Sequence, residues 1–385
     1  MDTLRTIIFG GKIVTPHHVL EGVSLVIEQG KILSIDPGNR RPQDGEMGID
    51  ASGYWVAPGL IDIHMHGALG YDFMDASPEA VNTIAAHCAH HGVTSFLGTT
   101  ISSSPGSIRA AIDNIADNPV SKNGARALGL HIEGPYLDVK YRGAQPERFL
   151  RDPHPDEYES WFDSWVVRLV TVAPERNGAL EMIDQGHKKG VEFAVGHSAA
   201  TYEQMTSAAD HGLRHATHTF NGMPGLHHRE PGPVGAVLSD DRIYAQLIAD
   251  GAHLHPAVVK IAVSAKTIQR AVLITDSIRA TGLADGEYEL AGDKIIVKEG
   301  ISRTLDGGLA GSTVTLDACL RNAMQFAGLT FQQALTMASA TPAASLGLEG
   351  VKGVLAPGAD ADVILFDQDL QVRKTILEGR LIYEA

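Results

Sequence analysis

The chain has 385 residues, 44% apolar and 20% charged, a balance that fits a folded globular protein and excludes an intrinsically disordered one. Its 31 Lys and Arg stand against 46 Asp and Glu, a formal charge of −15, which argues against nucleic acid or an anionic membrane as the main partner. At this length a single large α/β barrel or two domains are the starting alternatives.

The first fifty-odd residues read as short strands with turn punctuation: TIIFGGKIV, then VSLVIEQGKILSI with a Gln-Gly turn, then GYWVAPG. Next, short apolar strands alternate with amphipathic stretches of about 10–15 residues, the pattern of βαβ units on a parallel sheet. The strands are 60–66, 94–99, 127–133, 168–173, 192–197, 214–218, 244–249 and 271–276. Helical windows cover 78–91, 106–116, 179–189, 201–211 and 256–265, with longer helices at 313–327 and 331–344. The last thirty residues return to strand–Gly–strand patterns in GVLAPGADADVILFD and VRKTILEGRLIYEA. The fold class expected is therefore α/β, a (β/α)8 TIM-type barrel over residues 58–349. A small β-sandwich domain, residues 1–57 and 350–385, is built from both termini. Such a barrel carries its chemistry at the C-terminal ends of its strands.

Cys88 and Cys319 are far apart and in no CxxC pattern, so neither a disulfide framework nor a thiolate zinc site is indicated, and a reducing cytoplasm is the expected setting. The start, MDTLRTIIFGGKIV, has an acidic second residue and an apolar run broken by Gly10 and Gly11, unlike a secretory signal. No stretch reaches the length of a membrane span, so no membrane partner is expected. The unusual count is histidine, with 18.

In GLIDIHMHG, strand alternation puts His64 and His66 on one face and Ile61, Ile63 and Met65 on the other, making the two imidazoles a candidate clamp. Strand ends elsewhere supply Glu133, His197, His218 and Asp276. Imidazoles and carboxylates converging on a barrel mouth match the ligand preferences of zinc and related divalent ions. A lone histidine at a strand end is more often a hydrogen-bonded structural residue, but six such residues placed alike make that reading improbable. By contrast His87, His90, His91, His187 and His211 lie on helices or their ends, where a solvated face is expected. Gly134, Gly307, Gly308 and Gly311 read first as tight turns. GGLAGS follows no clear strand into a phosphate-binding βαβ unit.

The motifs GLIDIHMHG, GLHIEGPYL, AVGHSAAT, HTFNGMPGLHHREPGPVGAVL, IADGAHLHP, VLITDS, GGLAGSTVTLD and ASATPAASLGL followed by GVLAPGADADVILFD occur in order between about residues 7 and 380. Together they resemble the N-acetylhexosamine-6-phosphate deacetylases of the amidohydrolase superfamily. The resemblance implies that Glu133, His197 and His218 ligate a divalent metal and that His64 and His66 add a second. One or two ions are thus expected, zinc first, with iron, manganese or cobalt as alternatives. It implies Asp276 as general acid/base and His253 as the contact to the acetamido carbonyl. Asn221 and Gly222 would hold the sugar phosphate, Arg229 would reach it from the other subunit of a homodimer, and Leu309 and Ala310 would lie near the substrate. The implied substrate is N-acetyl-D-glucosamine 6-phosphate, with its galacto epimer second, and the implied reaction is amide hydrolysis. A dianion entering a protein of net negative charge needs a local basic pocket, for which a guanidinium is the better anchor.

The family usually carries a Lys-Gly-Ala-His run after HIEGP, whereas this chain reads YRGAQPERF, so Gln145, beside Ala144, stands where a substrate-facing histidine is expected. Glutamine donates and accepts hydrogen bonds but carries no charge. The expectation is altered sugar contacts with hydrolysis retained. Two other readings compete. A different amidohydrolase commonly has a carbamylated lysine at the fourth strand's end, which RLVTVAPE does not offer. A non-catalytic scaffold should have eroded ligands, and none is eroded.

Overall fold

The computed structural model describes residues 5–121 and 123–385; the acidic second residue of the sequence reading lies outside them. Eight parallel strands form one sheet in chain order: Leu60–Met65, Val93–Thr100, Arg126–Glu133, Val167–Val172, Glu192–Val195, Leu213–Ala216, Tyr244–Leu247 and Ala271–Leu273. The sheet closes through the irregular ends of its first and last strands. His66 N and Gly67 N donate to Ser277 O at 2.7 and 3.0 Å, and Asp276 N donates to His64 O at 2.9 Å. This is the expected barrel. Closure places the two histidines of the first strand beside the aspartate that follows the eighth.

Helices return the chain between strands, and several begin on side-chain caps. Ser77, Ser104, Thr201 and Thr330 each accept from the backbone N–H three residues on, fixing the starts of Pro78–His90, Pro105–Asp117, Tyr202–His211 and Phe331–Ala338. The window 331–344 is two helices, not one, because the backbone breaks at Ser339 (φ −138°, ψ −78°) before Ala340–Ser345. Two further helices, Pro155–Phe162 and Gly232–Ser239, were not anticipated. Nor was the antiparallel sheet of Gly286–Leu290, Asp293–Lys298 and Ile301–Thr304. GGLAGS does follow a strand, but an antiparallel one, so it remains outside any βαβ unit.

The predicted alternation in the first strand fails in part. Ile61 and Ile63 pack with Leu97, Leu169, Ala194 and Val272 inside the barrel. Met65 joins the larger cluster between strands and helices, where Cys88 Sγ lies 3.6 Å from its Sδ. Pairing with the second strand shifts register between Phe96 and Gly98. That irregularity lets His64 follow Ile63 inward, since a bulge breaks the period of two. Helical histidines also depart from expectation. His91 Nδ1 lies 3.1 Å from Asp317, and His87, its Nε2 buried, is held down to about 4 by burial and by the neighbouring His91.

Both termini contribute to a β-sandwich. One sheet holds Thr6–Phe9, Val23–Glu28, Lys31–Pro37 and Met47–Asp50; the other combines Lys12–Val14, Val19–Leu20 and Trp55–Pro58 with Val363–Phe366, Val372–Leu377 and Arg380–Glu384. Ile8, Leu25, Ile27 and Ile32 of the first pack on Ile13, Val56, Val363, Leu365 and Ile376 of the second. A buried ion cluster pins this layer. Lys352, 6% exposed, sits 2.8 Å from both Asp360 and Asp362, and the Asp362 carbonyl accepts from Gly59 N at the entrance to the barrel. Lys352→Met should cost about 3–5 kcal/mol, because it strands a buried carboxylate, and a urea titration followed by tryptophan fluorescence checks this.

Candidate metal centre and active site

The barrel mouth gathers the strand-end residues. His64 Nε2 and His66 Nε2 lie 3.3 Å apart, and both approach Asp276 Oδ1, at 3.3 and 3.2 Å. Glu133, 2% exposed, stands between two imidazole pairs. Its Oε1 is 3.3 Å from His197 Nε2, 3.1 Å from His218 Nε2 and 3.6 Å from His64 Nε2, while its Oε2 is 3.3 Å from His66 Nε2. The His197 and His218 Nε2 atoms are themselves 3.1 Å apart. Two triads, His64–His66–Glu133 and Glu133–His197–His218, each bring their ligand atoms within 4.8 Å of one another.

These residues fit a divalent cation. Two neutral imidazole nitrogens about 3 Å apart can share one proton at most, whereas a cation between them satisfies both. Tetrahedral N and O ligands at ~2.0–2.1 Å from an ion stand roughly 3.3 Å from one another, which is the spacing here. His197 Nδ1 donates to Tyr141 O at 2.9 Å, fixing the tautomer that leaves Nε2 free to ligate. Burial pushes the Glu133 and Asp276 carboxyls up, but the surrounding imidazoles outweigh it and hold both well below the ordinary carboxylate range. Burial likewise works against a charged His66, and Asp276 and Glu133 more than reverse that.

Four of these residues lie beyond the regular strands that the sequence assigns them to. His66 follows Met65 directly, while His197, His218 and Asp276 each take a left-handed backbone, at φ 47°, 28° and 52°. Such conformations cost roughly 1–3 kcal/mol each and cluster where a side chain must be aimed off the strand direction. Neighbouring glycines make room. A Cβ on Gly222 (φ +62°) would stand 2.8 Å from His197 Nδ1, and one on Gly134 (φ +78°) would collide with Ser102 Oγ.

A cavity of about 650 Å³ opens over this centre. Among the predicted site residues His66, Glu133, Ala144, Gln145, His197, His218, Asn221, Gly222, His253, Asp276 and Leu309 line it. His64 lies just beneath, fully buried. Ala310 is buried among Ile101, Ile278 and Leu290, off the cavity wall. Arg229 is exposed, its Nη1 2.7 Å from His228 Nε2, and also off the wall of its own chain's cavity.

Gln145 is buried, and its side-chain hydrogen bonds go to the protein: Nε2 donates to Glu133 Oε2 at 2.7 Å and Oε1 accepts from Ser102 N at 2.8 Å. Sequence reasoning also missed Asp250. Its carboxylate takes His253 Nδ1–H at 2.7 Å and the backbone N–H groups of Ala252 and His253 at 2.8 Å. Burial opposes ionisation of Asp250, yet these bonds hold its carboxyl below the usual range. The three-residue spacing in DGAH was the available signal. Lys140 and Arg142 are the two cationic side chains on the cavity wall, where Glu147, 3.4 Å from Arg142 Nε, and Asp306 stand beside them. Beneath the centre, His131 Nε2, Thr171 Oγ1 and Thr217 Oγ1 form a buried chain with 2.6 Å steps.

A model of the amidohydrolase family matches residues 55–382. The chain is 39% identical over 375 residues to N-acetylgalactosamine-6-phosphate deacetylase from Escherichia coli O157:H7, covering 96% of this chain and 97% of that one. It is also 39% identical over 372 residues to N-acetylglucosamine-6-phosphate deacetylase from Vibrio furnissii, covering 95% and 92%. Among solved structures, a variant of N-acetyl-D-glucosamine-6-phosphate deacetylase from Mycobacterium smegmatis in complex with N-acetyl-D-glucosamine-6-phosphate superposes with a TM-score of 0.91 at 32% identity, over 98% of this chain and 99% of that one.

Proposed function

The chain belongs to the amidohydrolase family, and from that premise we propose that it is an N-acetylhexosamine-6-phosphate deacetylase, hydrolysing N-acetyl-D-glucosamine 6-phosphate to D-glucosamine 6-phosphate and acetate. The observation that carries this reading is a single cavity wall bearing a metal-type donor set, an ionised aspartate within 3.3 Å of that set, and a histidine braced by a carboxylate. The galacto epimer is the second reading, favoured by equal identity to an enzyme named for it.

Glu133, His197 and His218 would hold one divalent ion, and His64 and His66 with Glu133 a second, zinc being the expected metal. A bound ion of this kind acidifies water and polarises a carbonyl, addressing both the poor nucleophile and the poor electrophile of amide hydrolysis. Asp276 then accepts the proton of the attacking water and delivers it to the departing nitrogen, which would otherwise leave as an unstable anion. His253, whose ring is held in place by its Nδ1–H bond to Asp250, stands on the cavity wall as the contact to the acetamido carbonyl. Asn221, Gly222, Lys140 and Arg142 line the region that receives the sugar phosphate.

The reading includes a homodimer in which Arg229 serves the partner's cavity. Support comes from its exposed loop, where Leu226 is 56% exposed. It also includes a cytoplasmic setting, in keeping with the buried free thiols of Cys88 and Cys319. None of the described helices is long and apolar enough to cross a membrane.

Acetate release from N-acetylglucosamine 6-phosphate, its galacto epimer and unphosphorylated N-acetylglucosamine, before and after chelation, tests the proposal. The phosphosugars should be preferred in kcat/KM by roughly 10–100-fold, the worth of charged hydrogen bonds at ~1.5–3 kcal/mol, and chelation should abolish turnover. Equal turnover with and without phosphate would remove the anion-anchor argument. Undiminished activity after chelation would remove the metal.

A further inference from the structure

We propose that Gln145 is a positioning residue for the metal centre: its amide clamps the Glu133 carboxylate, so that the chain sets its shared ligand with a neutral donor in place of a substrate-facing group. The inference rests on the reading of Glu133 as a metal ligand. It replaces the expectation that Gln145 acts through the sugar.

The hydrogen bonds assign themselves. Ser102 N–H is an obligate donor, so the amide atom facing it at 2.8 Å is the oxygen. The nitrogen must then face Glu133 Oε2, 2.7 Å away, where it donates to an acceptor-only carboxylate. Backbone holds the residue too, because Gln145 N donates to Arg142 O at 2.9 Å and Gln145 O accepts from Arg142 Nη1 at 3.2 Å. At 3% exposure the side chain is almost wholly enclosed, with both amide atoms already partnered by the protein. The Ser102 end is itself secured by Gly134, whose lack of a side chain lets the Ser102 loop close against the end of the strand carrying Glu133.

The consequence lies in the orientation of one carboxylate. The other side-chain partners of Glu133 among the described residues are imidazoles, which approach Oε1 from His64, His197 and His218 and Oε2 from His66. A carboxylate with imidazoles on every side can rotate about its terminal bond at little cost. The amide removes that freedom. It presents Oε1 to the His197–His218 pair and Oε2 toward His66 whatever the pH, because glutamine neither titrates nor changes tautomer. Partners of this kind typically affect metal affinity by 10–100-fold.

The test compares zinc retention by the purified full-length protein against a competing chelator, alongside steady-state kinetics at saturating zinc. Gln145→Met keeps length and removes both hydrogen bonds; it is expected to lose zinc about 10–100-fold more readily, with KM for the phosphosugar within about twofold of wild type. Gln145→His restores a ring N–H and should recover most of the retention. Zinc retention equal to wild type in Gln145→Met would overturn the proposal, as would a changed KM with retention intact, the signature of a sugar contact. If Gln145→Met fails to fold, Gln145→Glu carries the test. It keeps the acceptor for Ser102 N–H but opposes Glu133 with a second carboxylate, and retention equal to or tighter than wild type would overturn the proposal. A wild-type protein that binds no zinc or related ion defeats the metal reading itself, and this inference with it.

Discussion

Asp276→Asn should lower kcat by about 10³-fold, the range assigned to a positioned general acid/base and equivalent to ~4 kcal/mol of activation free energy. The substitution is nearly isosteric and leaves a polar group beside His64 and His66, so the mouth keeps its shape. In the proposed role, what would disappear is the ability to accept a proton from water and return it to nitrogen. KM should move by less than about threefold, since an interaction realised only in the transition state leaves ground-state binding alone. Steady-state kinetics on N-acetylglucosamine 6-phosphate, with metal content assayed in parallel, checks this. A variant retaining more than a tenth of wild-type kcat would show that the proton moves by another route.

Glu133→Gln should have the wider effect, because both imidazole triads depend on that one carboxylate. Glutamine fills the same volume but supplies no negative charge at the point where four imidazoles meet. Metal affinity should fall by more than the ~10–100-fold expected for losing a supporting partner, so that dialysed protein holds less than about a tenth of an ion per chain. Activity should fall with it. The fold should survive, since the site sits on strands closed by their own backbone bonds, and circular dichroism controls for that. Stoichiometric metal in Glu133→Gln would show that the carboxylate is not the shared ligand.

The barrel was legible because its strands are short apolar runs separated by helical windows, and this periodicity depends on burial alone. All eight strands lie where the pattern puts them, within a few residues. The strand tips were not legible in detail. Nothing in the residue types of AVGHSAAT or VLITDS signals that His197 and Asp276 turn left-handed, a backbone that non-glycine residues seldom adopt. The antiparallel sheet after the eighth strand carried the signal that marks the Gln29–Gly30 hairpin. Ala291–Gly292 and Glu299–Gly300 are turn pairs with positive φ at both positions. An eightfold βα period hides a hairpin that falls outside it. Gln145 shows the opposite limit: a departure from a family pattern is visible in sequence, but its partners, 12 and 43 residues away, are visible only in the fold.

Trp55–Pro58 runs between Lys12–Ile13 on one side and Val363–Phe366 on the other, with Pro58 opposite Val363. During synthesis from the N-terminus the first neighbour is present at once, while the second leaves the ribosome only after the whole barrel has been made. Until then one flank of Trp55–Pro58 is an open template for any passing strand. The sandwich is thus the last part of the molecule able to close, and a chain truncated before Val363 would carry a finished barrel beside an adhesive, unfinished edge.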